Sequence, residues 1–492
     1  MSEDAARRLL RQTTVYMSGQ VVRAMAAAAQ IPLFAAALPP AELGRFVTVQ
    51  AVALLMRLAG QVNLTGGLFR VLAEHHATDD ARAARRDVTS TFVATLLLST
   101  VVAVAIAVGA RVLEQWWLAP RWVPLADIAA ITLVLSLPRD LADIVLRATH
   151  RAGAAAALAS VTALLTLGGW MTALLVLDGG ALEMLRASAA VSALVAIPSL
   201  AVLAPYLGAD ACSREALRRI AKIALPTIPA VSIDWAQQYA DRFFIGAFVG
   251  VEAVGVYGLA HRVASSLRDV AFTGLQSAWD PFTYTEHRRP DAARLYGRVT
   301  GYFAIAGMAA VVATAAGIGP LLAILDADGV YAGAAPLVFF LATAYWLSML
   351  RHMFLAPTAV RERTDRALPV WAASGVSAVA FSLLLIPAFE ADGAAWAKVA
   401  TYAVGALVAI PVGRRLWRIE YDWRVFIAVV VAGVAAYAVV DTLSAGPAII
   451  ALIWQPLAGL AVLVAVLLIS RTITTADVRS VMRTARPRGV RR

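Results

Sequence analysis

Four arginines set within long apolar stretches are the residues of this sequence best equipped to do chemistry. Arg23, Arg57, Arg262 and Arg268 stand among hydrophobic neighbours, with other polar residues spaced along the same stretches. A guanidinium is always charged and presents paired N–H donors that match phosphate oxygens. A site ringed by such groups selects an anion, with phosphate or diphosphate the natural partner. Gln61 and Gln276 add neutral donors and acceptors. Asp234, Asp241 and Asp269 accompany the arginines, either as their partners or as proton or cation sites. Charge within hydrocarbon is costly and marks function by default. Internal salt bridges that only lock helices, such as Arg268 with Asp234 or Asp241, account for the same residues.

Helical spacing is what would gather these groups. Tyr16, Gln20, Arg23 and Gln30 form one set, and Gln50, Arg57, Gln61 and Thr65 a second. Thr227, Asp234, Gln238 and Asp241 form a third, and Arg262, Ser266, Asp269, Thr273 and Gln276 a fourth. Steps of three, four and seven hold each set to one helix face. Such a face turns to protein or to a water-filled cavity, because lipid tails satisfy no polar group. Arg139, Asp143 and Arg147 are spaced to satisfy one another along a single helix; Arg351 and His352 occupy the equivalent depth, where His352 is expected to cap or pack rather than relay protons. Lys398 is expected to snorkel to an interface, and Trp116, Trp117 and Trp122 to form an aromatic belt.

The elements that must carry these stripes are transmembrane helices. The chain is 492 residues long, 60% hydrophobic and 15% charged, against roughly a quarter charged in soluble domains. Fourteen apolar segments of spanning length lie between residues 13 and 470. The first runs through Ala35-Ala36-Ala37 into Pro39-Pro40 and reads as a retained helix rather than a cleaved signal. Net charge is +11, yet nucleic acid is not the implied partner. The arginines cluster at the N-terminus, in loops at 70–87, 147–151, 214–222, 288–298, 361–366 and 414–424, and in the tail. All fall on one side of a fourteen-helix chain, which places both termini in the cytoplasm. A single cysteine, Cys212, rules out an internal disulfide, and no metal-ligand spacing, phosphate loop or hydrolase motif appears. No cofactor, metal or enzymatic activity is expected.

The chain also repeats. Leu43-Gly44-Arg45-Phe46 recurs 211 residues later as Val254-Gly255-Val256-Tyr257, and Arg57 falls on Arg268. Arg23 falls on Asp234 and Gln30 on Asp241; with a small drift, Arg139 meets Arg351 and Gly180-Ala181 meets Gly393-Ala394. Residues 1–210 and 211–423 thus form two six-helix lobes, each with an even number of crossings. They are parallel repeats about a pseudo-two-fold axis along the membrane normal. Residues 424–470 form an appended two-helix hairpin, and 471–492 a basic cytoplasmic tail.

The motifs in their order resemble a known family. Asp241-Arg242-Phe243-Phe244-Ile245-Gly246, then Gly250, then Val254-Gly255-Val256-Tyr257 is similar to the middle signature of polysaccharide-biosynthesis flippases. Leu43-Gly44-Arg45-Phe46 with Gly66-Gly67-Leu68-Phe69-Arg70 resembles their N-terminal signature, and Asp392-Gly393-Ala394-Ala395-Trp396-Ala397 a late element. These belong to the O-antigen and exopolysaccharide branch of the multidrug/oligosaccharidyl-lipid/polysaccharide (MOP) superfamily. The resemblance implies an all-α integral membrane protein of MATE-like (MOP) fold. It further implies translocation of an undecaprenyl-diphosphate-linked oligosaccharide from the cytoplasmic to the periplasmic leaflet of a bacterial inner membrane. On that reading Arg23, Arg57, Arg262, Arg268, Gln61 and Gln276 bind substrate, while Asp234, Asp241 and Asp269 serve coupling or counterion roles. The partners are the lipid-linked glycan, membrane lipids and other polysaccharide assembly proteins, without nucleic acid. A cation-coupled drug or metabolite exporter of the same superfamily is the alternative, with a membrane polysaccharide polymerase behind it.

Overall fold

A backbone in hydrocarbon must satisfy its hydrogen bonds within itself, and this chain does so by helix alone. The computed structural model describes residues 3–78, 80–115, 119–208, 211–326, 328–443 and 447–472, and among them there is no strand. Two compact units are present: Met1–Leu259 with Ile386–Ala391, and Ala260–Leu385 with Asp392–Arg492.

The first unit opens with α1 (Glu3–Ala37) and α2 (Pro40–Gln61). Pro40 suits a first helical turn, where its missing N–H would go unused. Val62 and Asn63 both take left-handed backbone, φ 48° and 52°, which ends α2 before α3 (Leu64–Thr78) begins. Then follow α4 (Ala81–Glu114), capped by the Asp80 carboxylate on Ala83 N, and the interrupted pair α5 (Trp122–Leu135) and α6 (Leu137–Ala148). Helices α7 (Ala152–Leu175) and α8 (Ala181–Leu203) lead to the short amphipathic α9 (Arg214–Ala224), then α10 (Ile228–Tyr239), α11 (Asp241–Phe248) and the start of α12 (Val251–Leu267), which continues into the second unit from Ala260. Helix α9 is tied down by charge. Arg219 Nη2 reaches both oxygens of the fully buried Asp87, at 2.8 and 2.7 Å, and His75 Nε2 sits 2.9 Å from the same carboxylate.

The second unit contains α13 (Thr273–Glu286), α14 (Ala292–Leu325), α15 (Ala334–Phe354) and the short α16 (Ala356–Val360). Helix α17 (Leu368–Leu416) is two helices joined at a kink, where Glu390 has φ 53°. The hairpin is α18 (Trp423–Thr442) and α19 (Ala448–Ile469).

All fourteen apolar segments of the sequence lie on helical backbone. Nine elements among the described residues are long and apolar enough to cross a membrane, one of them (Thr364–Leu416) containing two segments. Most of the remainder are broken mid-way: at Ser136, at Ala240 and over Arg268–Phe272. Outward-facing Leu97, Val101, Val104 and Val108 on α4 are more than half exposed, the apolar surface a multi-pass membrane protein turns to lipid. Trp116, Trp117 and the tail from 473 lie outside the described residues.

The internal repeat is written in the backbone. Left-handed residues recur 212 positions apart: His150 with Glu362 (φ 55° and 54°), and Asp178 with Glu390 (46° and 53°). The α2/α3 break finds its counterpart in a π-helical turn over Arg268–Phe272. The repeated glycines pack reciprocally. A Cβ on Gly44 would run into the Val251 carbonyl, and one on Gly255 into the Pro40 carbonyl; Val251 is itself the repeat mate of Pro40. Each position needs glycine because backbone, not a movable side chain, stands in the way. Gly44→Ala or Gly255→Ala is therefore expected to destabilise by about 1–3 kcal/mol through overpacking. A thermal-shift measurement on purified protein checks this; an unchanged melting temperature in both variants would refute the crossing.

Candidate functional site

Within the first unit the polar groups of α2 converge on a carboxylate that the spacing argument passed over. Arg57 Nη2 lies 2.6 Å from Asp140 Oδ1 on α6, and Gln61 Nε2 donates to Asp140 Oδ2 at 2.8 Å. Asp140 is 4% exposed at its side chain and Gln61 5%, whereas Arg57 is 40% exposed. Arg57 thus has one edge on a buried anion and another open, while Gln61 is spent on holding that anion. Arg139 Nη1 is 3.8 Å from Asp140, and Asp143 pairs with Arg147 at 2.8 Å one turn on. The expected three-residue ladder is therefore half realised: Asp143 and Arg147 pair, and Arg139 turns to Asp140.

The break after α2 adds to the same region. Asn63 Nδ2 donates to Thr227 Oγ1 at 2.6 Å, and Trp235 Nε1 to Ala51 O at 3.2 Å, so the third stripe packs on the second. Asp234 accepts from Gln238 at 2.7 Å. Asp241 is 7% exposed. It takes hydrogen bonds from the Tyr257 hydroxyl and from Arg242 N, and Arg242 Nη1 stands 3.6 Å away. Two parts of the family-like signature, 241–246 and 254–257, are thereby bonded to each other. Arg23 is half-buried and Gln30 buried on α1, while the side chains of Tyr16 and Gln20 lie outside the described ones.

The second unit treats its arginines differently. Arg268 lies with its guanidinium carbon 4.8 Å from the centroid of the Tyr345 ring and its Nε 3.0 Å from Asp269. Tyr345 is buried, and its hydroxyl sits 2.7 Å from His261 Nε2. Next to this, buried Arg351 packs against Trp371 at 4.5 Å and Tyr402 at 5.3 Å, with Ser374 Oγ at 3.4 Å. Arg262 is half-buried; its carbonyl accepts from Ser265 and Ser266. The straight-helix reading of the fourth stripe needs correction here. The π-turn inserts a residue, marked by Thr273 Oγ1 on Arg268 O at 3.2 Å. One extra residue rotates all that follows by about 100°, so Gln276 leaves the face that Arg262 and Ser266 share. Lys398 is likewise corrected: it is 4% exposed and packs inside the unit rather than snorkelling. His352 meets Asp280 at 2.8 Å.

Both repeat-equivalent arginines, Arg57 and Arg268, therefore sit beside an interruption of their own helix. Interruptions at depth are tolerated where backbone is buried or lines a cavity, and π-turns often mark functional positions. The two differ in partner, a buried carboxylate for Arg57 and an aromatic face for Arg268. Asp140, His261, Tyr345, Trp371 and Tyr402 were not read from the sequence. Asp140 is off the Arg139/Asp143/Arg147 face by one residue, and aromatic partners leave no charge pattern to find. The spacing Gln61-to-Asp140 across two breaks has no local signature at all.

The family model described as polysaccharide biosynthesis protein matches residues 9–283. Among solved structures, the lipid II flippase MurJ in an inward closed conformation aligns with TM-score 0.72 at 10% identity, covering 94% of this chain and 99% of that one. An inward-facing multidrug resistance MATE family transporter of the MOP superfamily aligns with TM-score 0.62 at 16% identity, covering 88% and 99%. At such identities the likeness shows the fold alone, and that fold is the MOP one. None of the curated proteins matches the chain.

Proposed function

This chain belongs to the polysaccharide biosynthesis protein family, and on that premise we propose that it is a flippase for an undecaprenyl-diphosphate-linked oligosaccharide. It is a carrier, not an enzyme, and moves its substrate from the cytoplasmic to the periplasmic leaflet of a bacterial inner membrane by alternating access, with both termini cytoplasmic. Supporting this most directly is the pair Arg57 and Arg268, equivalent in the repeat and each set beside a break in its helix. A diphosphate needs donors in pairs, and guanidinium supplies them without ever losing its charge. Arg23 in the first unit and Arg262 in the second are the further cationic contacts of this reading. A cytoplasm-negative potential favours outward movement of an anion by roughly 2.3 kcal/mol per charge per 100 mV. The emptied carrier then has to return with its arginines balanced, and Asp234, Asp241 and Asp269 are the proposed counterions. Asp140 already does this for Arg57 at rest. The embedding of Asp241 between Tyr257 and Arg242 favours a fixing role for that member.

Reconstitution tests the reading. Proteoliposomes holding a fluorescent undecaprenyl-diphosphate-linked oligosaccharide should expose the inner-leaflet label to an impermeant quencher at a protein-dependent rate. Absence of flipping, together with ion-driven efflux of cationic dyes, would replace this assignment with the exporter reading.

A further inference from the structure

We propose that a pocket at the ends of α14, α18 and α19 binds the headgroup of a zwitterionic phospholipid carrying a primary ammonium, phosphoethanolamine in chemical terms. The pocket has a volume of about 280 Å³ and is lined by Arg294, Arg298, Tyr302, Glu420, Asp422 and Thr472. That lies at the small end of ligand cavities, roughly 300–1,000 Å³, and suits a headgroup rather than an oligosaccharide.

Its position follows from the elements that build it. Helices α14, α18 and α19 are each long and apolar enough to cross a membrane, and the pocket lies where α14 and α18 start and α19 has just ended. This is headgroup depth. The stripe Arg294, Arg298, Tyr302 descends α14 at steps of four, so two cations sit above an interfacial phenol, with Ile305 and Val425 beneath. Tyr302 is 54% exposed, as is usual for an interfacial aromatic. The far wall is rigid. Glu420 N donates to Ala293 O at 3.2 Å, and a Cβ on Gly297 would collide with the Glu420 carbonyl, so only glycine admits the connector this close.

Charge then selects the ligand. Two guanidiniums face two carboxylates, which makes a purely anionic headgroup and a purely cationic ligand equally poor matches. Arg298 makes no ion pair among the described residues, and Arg294 has only a 3.5 Å contact with Glu420, both side chains being largely exposed. Such a pair is weak and opens readily. Asp422 Oδ1 accepts from Arg424 N and is thereby partly committed to the start of α18. A phosphate on Arg298 and Arg294 with an ammonium on Glu420 uses every remaining group. A trimethylated choline offers Glu420 no N–H, and phosphatidylglycerol offers it no cation.

The assignment is independent of what the protein carries, because its test reads lipid binding. Native mass spectrometry of the delipidated full chain in detergent, titrated separately with phosphatidylethanolamine, phosphatidylcholine and phosphatidylglycerol, gives an apparent affinity for each. Phosphatidylethanolamine should bind about tenfold more tightly than either, the effect of one charge-assisted hydrogen bond. Arg298→Ala and Glu420→Gln should each remove that preference, whereas Arg288→Ala, at an exposed arginine that does not line the pocket, should keep it. All three sites are exposed, so a melting temperature near wild type is expected and identifies any misfolded variant. Tighter phosphatidylglycerol binding, or a preference that survives both pocket variants, would overturn the proposal. Competition by soluble glycerophosphoethanolamine as effective as the lipid itself would overturn its assignment to a bilayer lipid.

Discussion

Arg57→Ala is expected to remove both transport and a large part of the folded protein. Asp140 keeps only 4% of its side-chain surface exposed, and Arg57 is its closest cation at 2.6 Å. Deleting one partner of a buried pair strands the other, which costs about 3–5 kcal/mol. The 40% exposure of Arg57 admits some solvent screening and moves the expectation toward the lower figure. Arg57→Ala should therefore lower the melting temperature and the membrane abundance. Adding Asp140→Ala should restore both, since no charge is then left buried, while flipping stays lost. Arg57→Lys keeps the charge without the paired donors, so abundance should approach wild type with transport only partly regained. Thermal shift, fluorescence-detected abundance and flipping in proteoliposomes separate these outcomes. Normal flipping in the double variant would show that Arg57 only balances Asp140 and does not touch substrate.

The stability loss follows from Asp140, a partner that the structure gives Arg57 and the sequence does not. The difference lies in the kind of information each carries. Apolar length and the excess of arginine on one side made the membrane class legible, because they act over twenty residues at a time. The repeat was legible through Gly44 and Gly255, whose identity is dictated by backbone touching backbone at one crossing. The arginines themselves were legible because charge in an apolar run has no bland surface to occupy. Their partners were not. Asp140 sits one residue away from the conspicuous Arg139/Asp143/Arg147 ladder, and only the α6 fold turns it toward α2. The π-turn at Arg268–Phe272 has no proline or glycine within it to announce it, and it displaces Gln276 from a face that the ideal helix period had placed it on. Tyr345 and His261 look in sequence like any buried aromatic pair. A helix face is a one-dimensional prediction, and it fails where the helix stops being regular, which in this chain is beside the two arginines of greatest interest.

Arg268→Ala should behave differently from its repeat mate, slowing flipping sharply while leaving abundance near wild type. Its ion-pair partner Asp269 is 51% exposed at the side chain, so removing the guanidinium leaves that carboxylate in reach of solvent rather than buried. The ring of Tyr345 keeps its hydroxyl contact with His261 at 2.7 Å and needs no cation to stay in place. The lost cation–π contact is worth roughly 0.5–2 kcal/mol, within what a stable lobe tolerates. On the transport side, losing a charge-assisted contact to phosphate at about 1.5–3 kcal/mol slows flipping by roughly tenfold to a hundredfold if the contact is made in the limiting step. Tyr345→Phe should preserve the platform under Arg268 and most of the rate, whereas Tyr345→Leu removes the platform and should resemble a mild Arg268 defect. This contrast between the two arginines is the discriminating measurement. A cationic site that merely staples helices would give paired losses of stability and transport at both positions. A substrate grip gives loss of transport at both, with loss of stability only where the structure has buried a carboxylate. If Arg268→Ala flips at the wild-type rate, the second unit does not hold the diphosphate through this residue.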